Sequence, residues 1–157
     1  MEKGKALRRM AYDLLGVCRL IVNYSNEKDY NISNLKLQKL LYYIQAYFLV
    51  KKKRPCFDED IEAWACGPIV PTAYLEFEQY GGCNIPEIRD GRIGKEIKSC
   101  AFRKNDAEDI RRIVDVFSGY SASVMTALSM KQGPWRVCRE LGKRTISEED
   151  ILRCFRA

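Results

Sequence analysis

The sequence predicts a mainly α protein, a compact single-domain helical bundle with a small β-hairpin or extended segment in its middle. Three observations carry this. Apolar residues recur at i, i+3, i+4 spacing in successive windows, most strongly at Leu37, Leu40, Leu41, Ile44 and Phe48. Prolines and paired glycines interrupt those windows at Pro55, Gly67-Pro68, Pro71 and Gly81-Gly82. A length of 157 residues suits one domain over residues 1–157, with a core large enough to dispense with disulfides or metal.

In chain order, Leu7, Met10, Leu14, Val17 and Ile21 mark one face of a helix from about residue 5 to 25. Asn31 to Asn34 breaks it, and Ser33 or Asn34 can cap the next, the core helix that contains LKLQKLLYYIQAYFL from Leu35 to Leu49. Lys51-Lys52-Lys53-Arg54 offsets the carbonyls at its end, and Pro55 stops it. Ile61-Glu62-Ala63-Trp64 is too short for a helix, and the prolines of Gly67-Pro68-Ile69-Val70-Pro71 predict an extended stretch entering a turn. Pro71 suits the first position of a third helix ending at Gly81-Gly82. Asp90-Gly91 between Ile88 and Ile93 fits a tight hairpin. Ile110, Ile113, Val114 and Phe117 trace a further helix capped by Asn105 or Asp106 and closed by Gly119. Ser121 opens a shorter one through Leu128, Pro134-Trp135 begins another, and Ser147-Glu148-Glu149-Asp150 approximates a capping box before Ile151, Leu152 and Phe155.

Composition narrows the chemistry more than it names it. Histidine is absent, which removes the Cys-His dyad, the Ser-His-Asp triad and every His-containing zinc site. Seven cysteines without a CxxC, behind an N-terminus that lacks a signal peptide's apolar core, predict reduced and mostly buried thiols in a cytoplasmic protein. No apolar run reaches the roughly 18 residues of a membrane span. No glycine loop is placed to cradle phosphate, and Asp58-Glu59-Asp60 and Glu148-Glu149-Asp150 read as solvated or capping carboxylates. The reading is of a protein that is not an enzyme and holds no cofactor or metal. A net charge of +6 allows an acidic or nucleic-acid partner, although the bland reading of the Lys51 to Arg54 run, a solvated helix end, is the better one.

One oddity sits in the core helix. Lys36 and Lys39 occupy its first turns, where the helix dipole disfavours cations, and Tyr43 and Tyr47 continue the same side. Either this strip is a contact surface, or the lysine stems lie over the core with the tyrosines half buried. Trp64 and Trp135, beside proline turns, read first as core plugs.

The order and spacing of LKLQKLLYYIQAYFL, Arg54-Pro55, Phe57-Asp58, Ala63-Trp64, Gly67-Pro68-Ile69-Val70-Pro71, Tyr74, Phe77, Tyr80-Gly81, Tyr120-Ser121-Ala122 and Leu128 to Pro134-Trp135 resemble the Panacea domain, also called the SocA-like or GepA-like phage-associated domain. Where that family tends to have Thr-His before Pro-Trp, this chain has Ser129-Met130, and Gln132 replaces a common acidic residue. The resemblance implies an antitoxin that binds and neutralises a cognate toxin protein, or in one branch an adaptor that presents the toxin to a protease. Neither role requires catalysis. A nanomolar complex of that kind needs roughly 12 kcal/mol and an interface of about 1,600 Å². Interface candidates are Lys36, Lys39, Tyr43, Tyr74 and Trp135. Two other classes stay open: a DNA-binding autoregulator of its own operon that uses the basic clusters, and a cysteine- or carboxylate-based enzyme. A simple pair and a higher oligomer are equally open.

Overall fold

Asp13, three residues before Gly16, decides where the first described helix begins. In the computed structural model of the protein, which describes residues 11–89, 101–131 and 133–156, the Asp13 carboxylate accepts from the Gly16 N–H at 3.1 Å and caps α1 (Leu14–Glu27). The expected start near residue 5 falls outside the described residues. Over 11–13, however, the chain is not helical, because the Tyr12 N–H donates to the Cys56 carbonyl at 2.8 Å and holds this stretch against the segment after α2.

Ser33 caps α2 (Asn34–Tyr47) by accepting from the Lys36 N–H, and the helix widens into a π turn over Phe48–Lys52 before Lys53 takes a left-handed φ of 58°. The periodic residues Leu37, Leu40, Leu41, Ile44 and Phe48 are all 0% exposed, so the expected apolar face is the centre of the core. Each such burial contributes about 1.5 to 3 kcal/mol. Around α2 pack α1, the short α3 (Pro71–Phe77, continued by a 3-10 turn to Tyr80), α4 (Lys104–Val116), α5 (Ala122–Lys131) and α7 (Glu148–Arg156), while α6 (Gly133–Glu140) bridges α5 and α7.

Among the described residues the β structure is a three-stranded antiparallel sheet in the order β2-β1-β3, with β1 Ile61–Trp64, β2 Gly67–Ile69 and β3 Thr145–Ile146. Trp64 pairs with Gly67, which leaves Ala65 and Cys66 as a two-residue hairpin turn. Gly67 has a φ of +100°, and a Cβ there would lie 3.0 Å from the Lys39 Nζ, so both backbone angle and space require glycine. The expected hairpin at Asp90-Gly91 lies outside the described residues, and Ile88 and Arg89 before it belong to no regular element. β3 was not anticipated, since two residues carry no readable period.

Two boundaries are corrected. Helix α4 starts at Lys104 behind Arg103, without a side-chain cap, because the Asp106 carboxylate is turned to other partners. It ends at Val116, ahead of Gly119, where Phe117 leaves the helical conformation. Pro71 at the first position of α3 and Ser147, whose hydroxyl accepts from the Asp150 N–H at 3.1 Å, are placed as expected.

Candidate partner-binding face

Beneath the surface runs a row of polar side chains that accounts for the unusual composition of α2. Asn34, Gln38, Lys39 and Gln45 are between 0% and 3% exposed in an otherwise apolar helix. Gln45 Oε1 accepts from the Cys56 N–H at 2.7 Å and the Phe57 N–H at 3.3 Å, and its Nε2 donates to the Phe57 carbonyl at 2.8 Å. Gln38 Oε1 accepts from the Val70 N–H at 2.9 Å, its Nε2 donates to Asn34 Oδ1, and Asn34 donates in turn to the Tyr74 carbonyl at 3.0 Å. Lys39 Nζ donates to the Pro68 carbonyl at 2.8 Å. Backbone groups of Cys56, Phe57, Pro68, Val70 and Tyr74 thus find partners on α2. Each such group buried without a partner would cost about 1 to 3 kcal/mol.

This placement divides the five residues singled out from the sequence. Lys39 is 0% exposed, and burial pulls its pKa down to about 8. Lys36 is 5% exposed with its pKa likewise lowered by burial, and its Nζ reaches the Ser118 carbonyl at 3.4 Å. Both lysines therefore face inward, with their stems over the core, and Lys39 offers no surface to a partner. Ser129, where the family tends to have threonine, is buried beside Gly67 near the Lys39 ammonium, while Met130 is half buried.

Tyr74 and Trp135 come together through Trp64. The Trp64 and Tyr74 rings meet edge to face at 5.1 Å, and the Trp135 indole N–H donates to the Trp64 carbonyl at 2.8 Å. Arg139 lies over the Trp135 ring and donates to the Ala63 carbonyl, so this half-buried aromatic cluster covers the Ala63–Trp64 end of β1. Leu75 beside it is 66% exposed.

Tyr43 belongs to a different place. It stacks on Phe117 at 4.7 Å and meets Phe155 edge to face at 6.2 Å, and burial raises its pKa to about 12. These rings, with Ala46, Val50 and Ile113, line an open apolar groove of about 260 Å³ between α2, α4 and α7. From the Phe117 ring the apolar surface continues to Tyr120, 5.8 Å away and 44% exposed, and along α5 through Val124 at 44% and Leu128 at 39%. Helix α5, ASVMTALSMK, carries one charge, Lys131, in ten residues, and only its Met125 and Ser129 side is fully buried. Large apolar side chains in a row on a helix surface are ordinarily covered. Sequence reading found this helix but not its bare face, whose signal was Val124 and Leu128 one turn apart with a single charge, Lys131, in the whole helix.

Half of the basic run after α2, Lys52 and Arg54, is committed to internal pairing. Asp106, 2% exposed, accepts from Lys52 at 2.7 Å, from Arg54 and from the Tyr12 hydroxyl, and Asp109 takes a second contact from Lys52 at 2.7 Å. Burial alone would raise the Asp106 pKa, but the hydrogen bonds from Lys52, Tyr12 and Arg54 outweigh it and hold it at about 2. Lys51 and Lys53 remain exposed.

Among the described residues no group of three or more cysteine, aspartate or glutamate side chains converges as a metal site, and no helix is long and apolar enough to cross a membrane. Cys18, Cys56 and Cys138 are buried, and burial raises the pKa of Cys18 and Cys138, the opposite of an activated nucleophile. Cys66 and Cys154 are half buried and Cys83 is exposed.

Residues 37–136 match the family profile described as antitoxin SocA-like, Panacea domain. The chain is also 36% identical over 130 residues to the antitoxin SocA of Caulobacter vibrioides strain NA1000 / CB15N, covering 80% of this chain and 69% of that protein. No solved structure matches. The profile runs from Leu37, buried in α2, to Arg136, which follows the Trp135 that covers the end of β1.

Proposed function

Because the chain belongs to the SocA-like Panacea-domain antitoxin family, we propose that it neutralises a cognate toxin protein by binding it directly in a stoichiometric complex. The likeness to antitoxin SocA carries this reading. The exposed apolar surface of the groove and α5 supports it, because a protein that acts by masking another needs desolvatable area and not a reactive centre. Of the five residues named from the sequence, the half-buried Tyr43, Tyr74 and Trp135 are proposed to meet the partner, and the buried Lys36 and Lys39 to hold the frame behind them. Pairing of Lys52 and Arg54 with Asp106 leaves the basic run less free for phosphate, which favours a protein partner over operator DNA.

The test is to express the protein encoded beside this one, alone and together with this chain. Arrested growth that co-expression restores, with the two proteins co-purifying in equal amounts, is the expected result. Arrest that persists despite soluble, folded chain would overturn the reading. Rescue accompanied by disappearance of the toxin, and stopped by removing a cellular protease, would identify the adaptor mode instead of simple masking.

A further inference from the structure

Resting on the antitoxin reading, we infer that the groove between α2, α4 and α7, together with the bare face of α5, docks an acidic segment of the toxin that inserts a large apolar side chain. The groove supplies the anchor site: Tyr43, Phe117 and Phe155 form three walls, with Ala46, Val50 and Ile113 between them, and its volume of about 260 Å³ matches one or two large side chains. Continuity supplies the rest of the footprint, because the Phe117 and Tyr120 rings are in contact and Val124 and Leu128 follow one helical turn apart.

The charges around the groove specify the occupant's chemistry. Exposed Lys51 lines the groove itself, Arg112 is 61% exposed on its side chain and donates to the Tyr47 hydroxyl at 3.0 Å, and exposed Arg156 follows Phe155. The carboxylates of α4 offset this rim only in part. Asp109 is only 16% exposed and bound by Lys52 and Arg112, Asp115 is turned to Tyr24 and Tyr30, and exposed Glu108 lies one turn before Arg112. The acidic residues of α7, Glu148, Glu149 and Asp150, occupy its first turn, whereas Phe155 and Arg156 are at the other end. An apolar floor within a cationic rim selects a partner segment whose large apolar residue is flanked by Asp or Glu, and rejects a basic one.

Two double variants separate the floor from the rim. V124E/L128E alters side chains that are already exposed, and K51E/R112E reverses the rim with loss of the exposed Arg112–Asp109 pair, so both should remain folded, which a melting curve checks before titration. Each is titrated with the purified protein encoded beside this one, by calorimetry at about 50 and about 300 mM salt. The expected result is a loss of at least about tenfold in affinity for each variant, with the K51E/R112E loss shrinking at the higher salt. Wild-type affinity in both folded variants overturns the docking assignment while leaving the antitoxin reading intact. Failure of the wild-type chain to bind that protein or to relieve its toxicity overturns both. A concentration-dependent dimer of the chain alone that V124E/L128E abolishes shows that a second copy covers this face, and also overturns the assignment.

Discussion

Replacing Asp106 by Asn should destabilise the fold by about 2 kcal/mol near pH 7, through the loss of a single buried charge. The magnitude comes from two directions. Asp106 has an ordinary value of 3.8 and is held at about 2 by Lys52, Tyr12 and Arg54 against the opposing effect of burial. At roughly 1.4 kcal/mol per tenfold change in proton affinity, that difference corresponds to about 2 kcal/mol. Breaking a fully buried ion pair costs about 3 to 5 kcal/mol, and the Asp106 partners should fall below that range because Lys52 keeps Asp109 at 2.7 Å and its side chain is 16% exposed. Because the folded-state value is depressed, the stabilisation is complete above the unfolded value and disappears as pH falls through the folded one. The gap between wild type and D106N should therefore be constant from about pH 8 to about pH 5, narrow below about pH 4 and close near pH 2. Urea unfolding followed by far-UV circular dichroism at stepped pH measures it directly. A gap below about 0.5 kcal/mol at neutral pH, or one that keeps its size near pH 2, would show that the latch between α4 and the end of α2 does not carry this energy.

Other outcomes follow from the polar row on α2. Q45A strips partners from the Cys56 and Phe57 amides and the Phe57 carbonyl, and should cost about 2 to 4 kcal/mol; amide hydrogen exchange should show Cys56 and Phe57 losing protection first, and unchanged exchange there would contradict the assignment. In the wild type, Lys39 releases its proton near pH 8 when folded but at 10.5 when unfolded, so the unfolded chain binds more protons in that window and stability gains with rising pH. K39M lacks this gain, and the difference in denaturation midpoints between K39M and wild type should move in favour of wild type from about pH 8 to about pH 10; parallel curves would mean that the ammonium is not desolvated.

Much of the frame was legible because it depends on neighbours in sequence. The i, i+3, i+4 pattern of α2, the Ser33 cap, Pro71 at the head of α3 and the Ser147 cap of α7 are all local devices, and each appears where the spacing put it. Asp106 shows where locality ends. Its position suits a helix cap, but Tyr12, Lys52 and Arg54, all more than fifty residues away, offer the carboxylate more than its own backbone does. The lysine and tyrosine strip behaved similarly: its spacing showed one side of a helix, while what lies against that side depends on how β2, α4 and α5 pack.

By itself, then, the sequence determined the helical class, the apolar face of α2, the helix start at Pro71 and the family to which the chain belongs, since these rest on period, backbone chemistry and ordered motifs. Only the tertiary structure decided that Lys39 is interior, that Gln38 and Gln45 hold the Cys56 to Val70 stretch in place, and that Tyr43 opens onto a groove continuous with α5. The physical reason is the same throughout. Burial and hydrogen-bond partnership are properties of pairs far apart in the chain, and a residue's own spacing does not show what will be packed across from it.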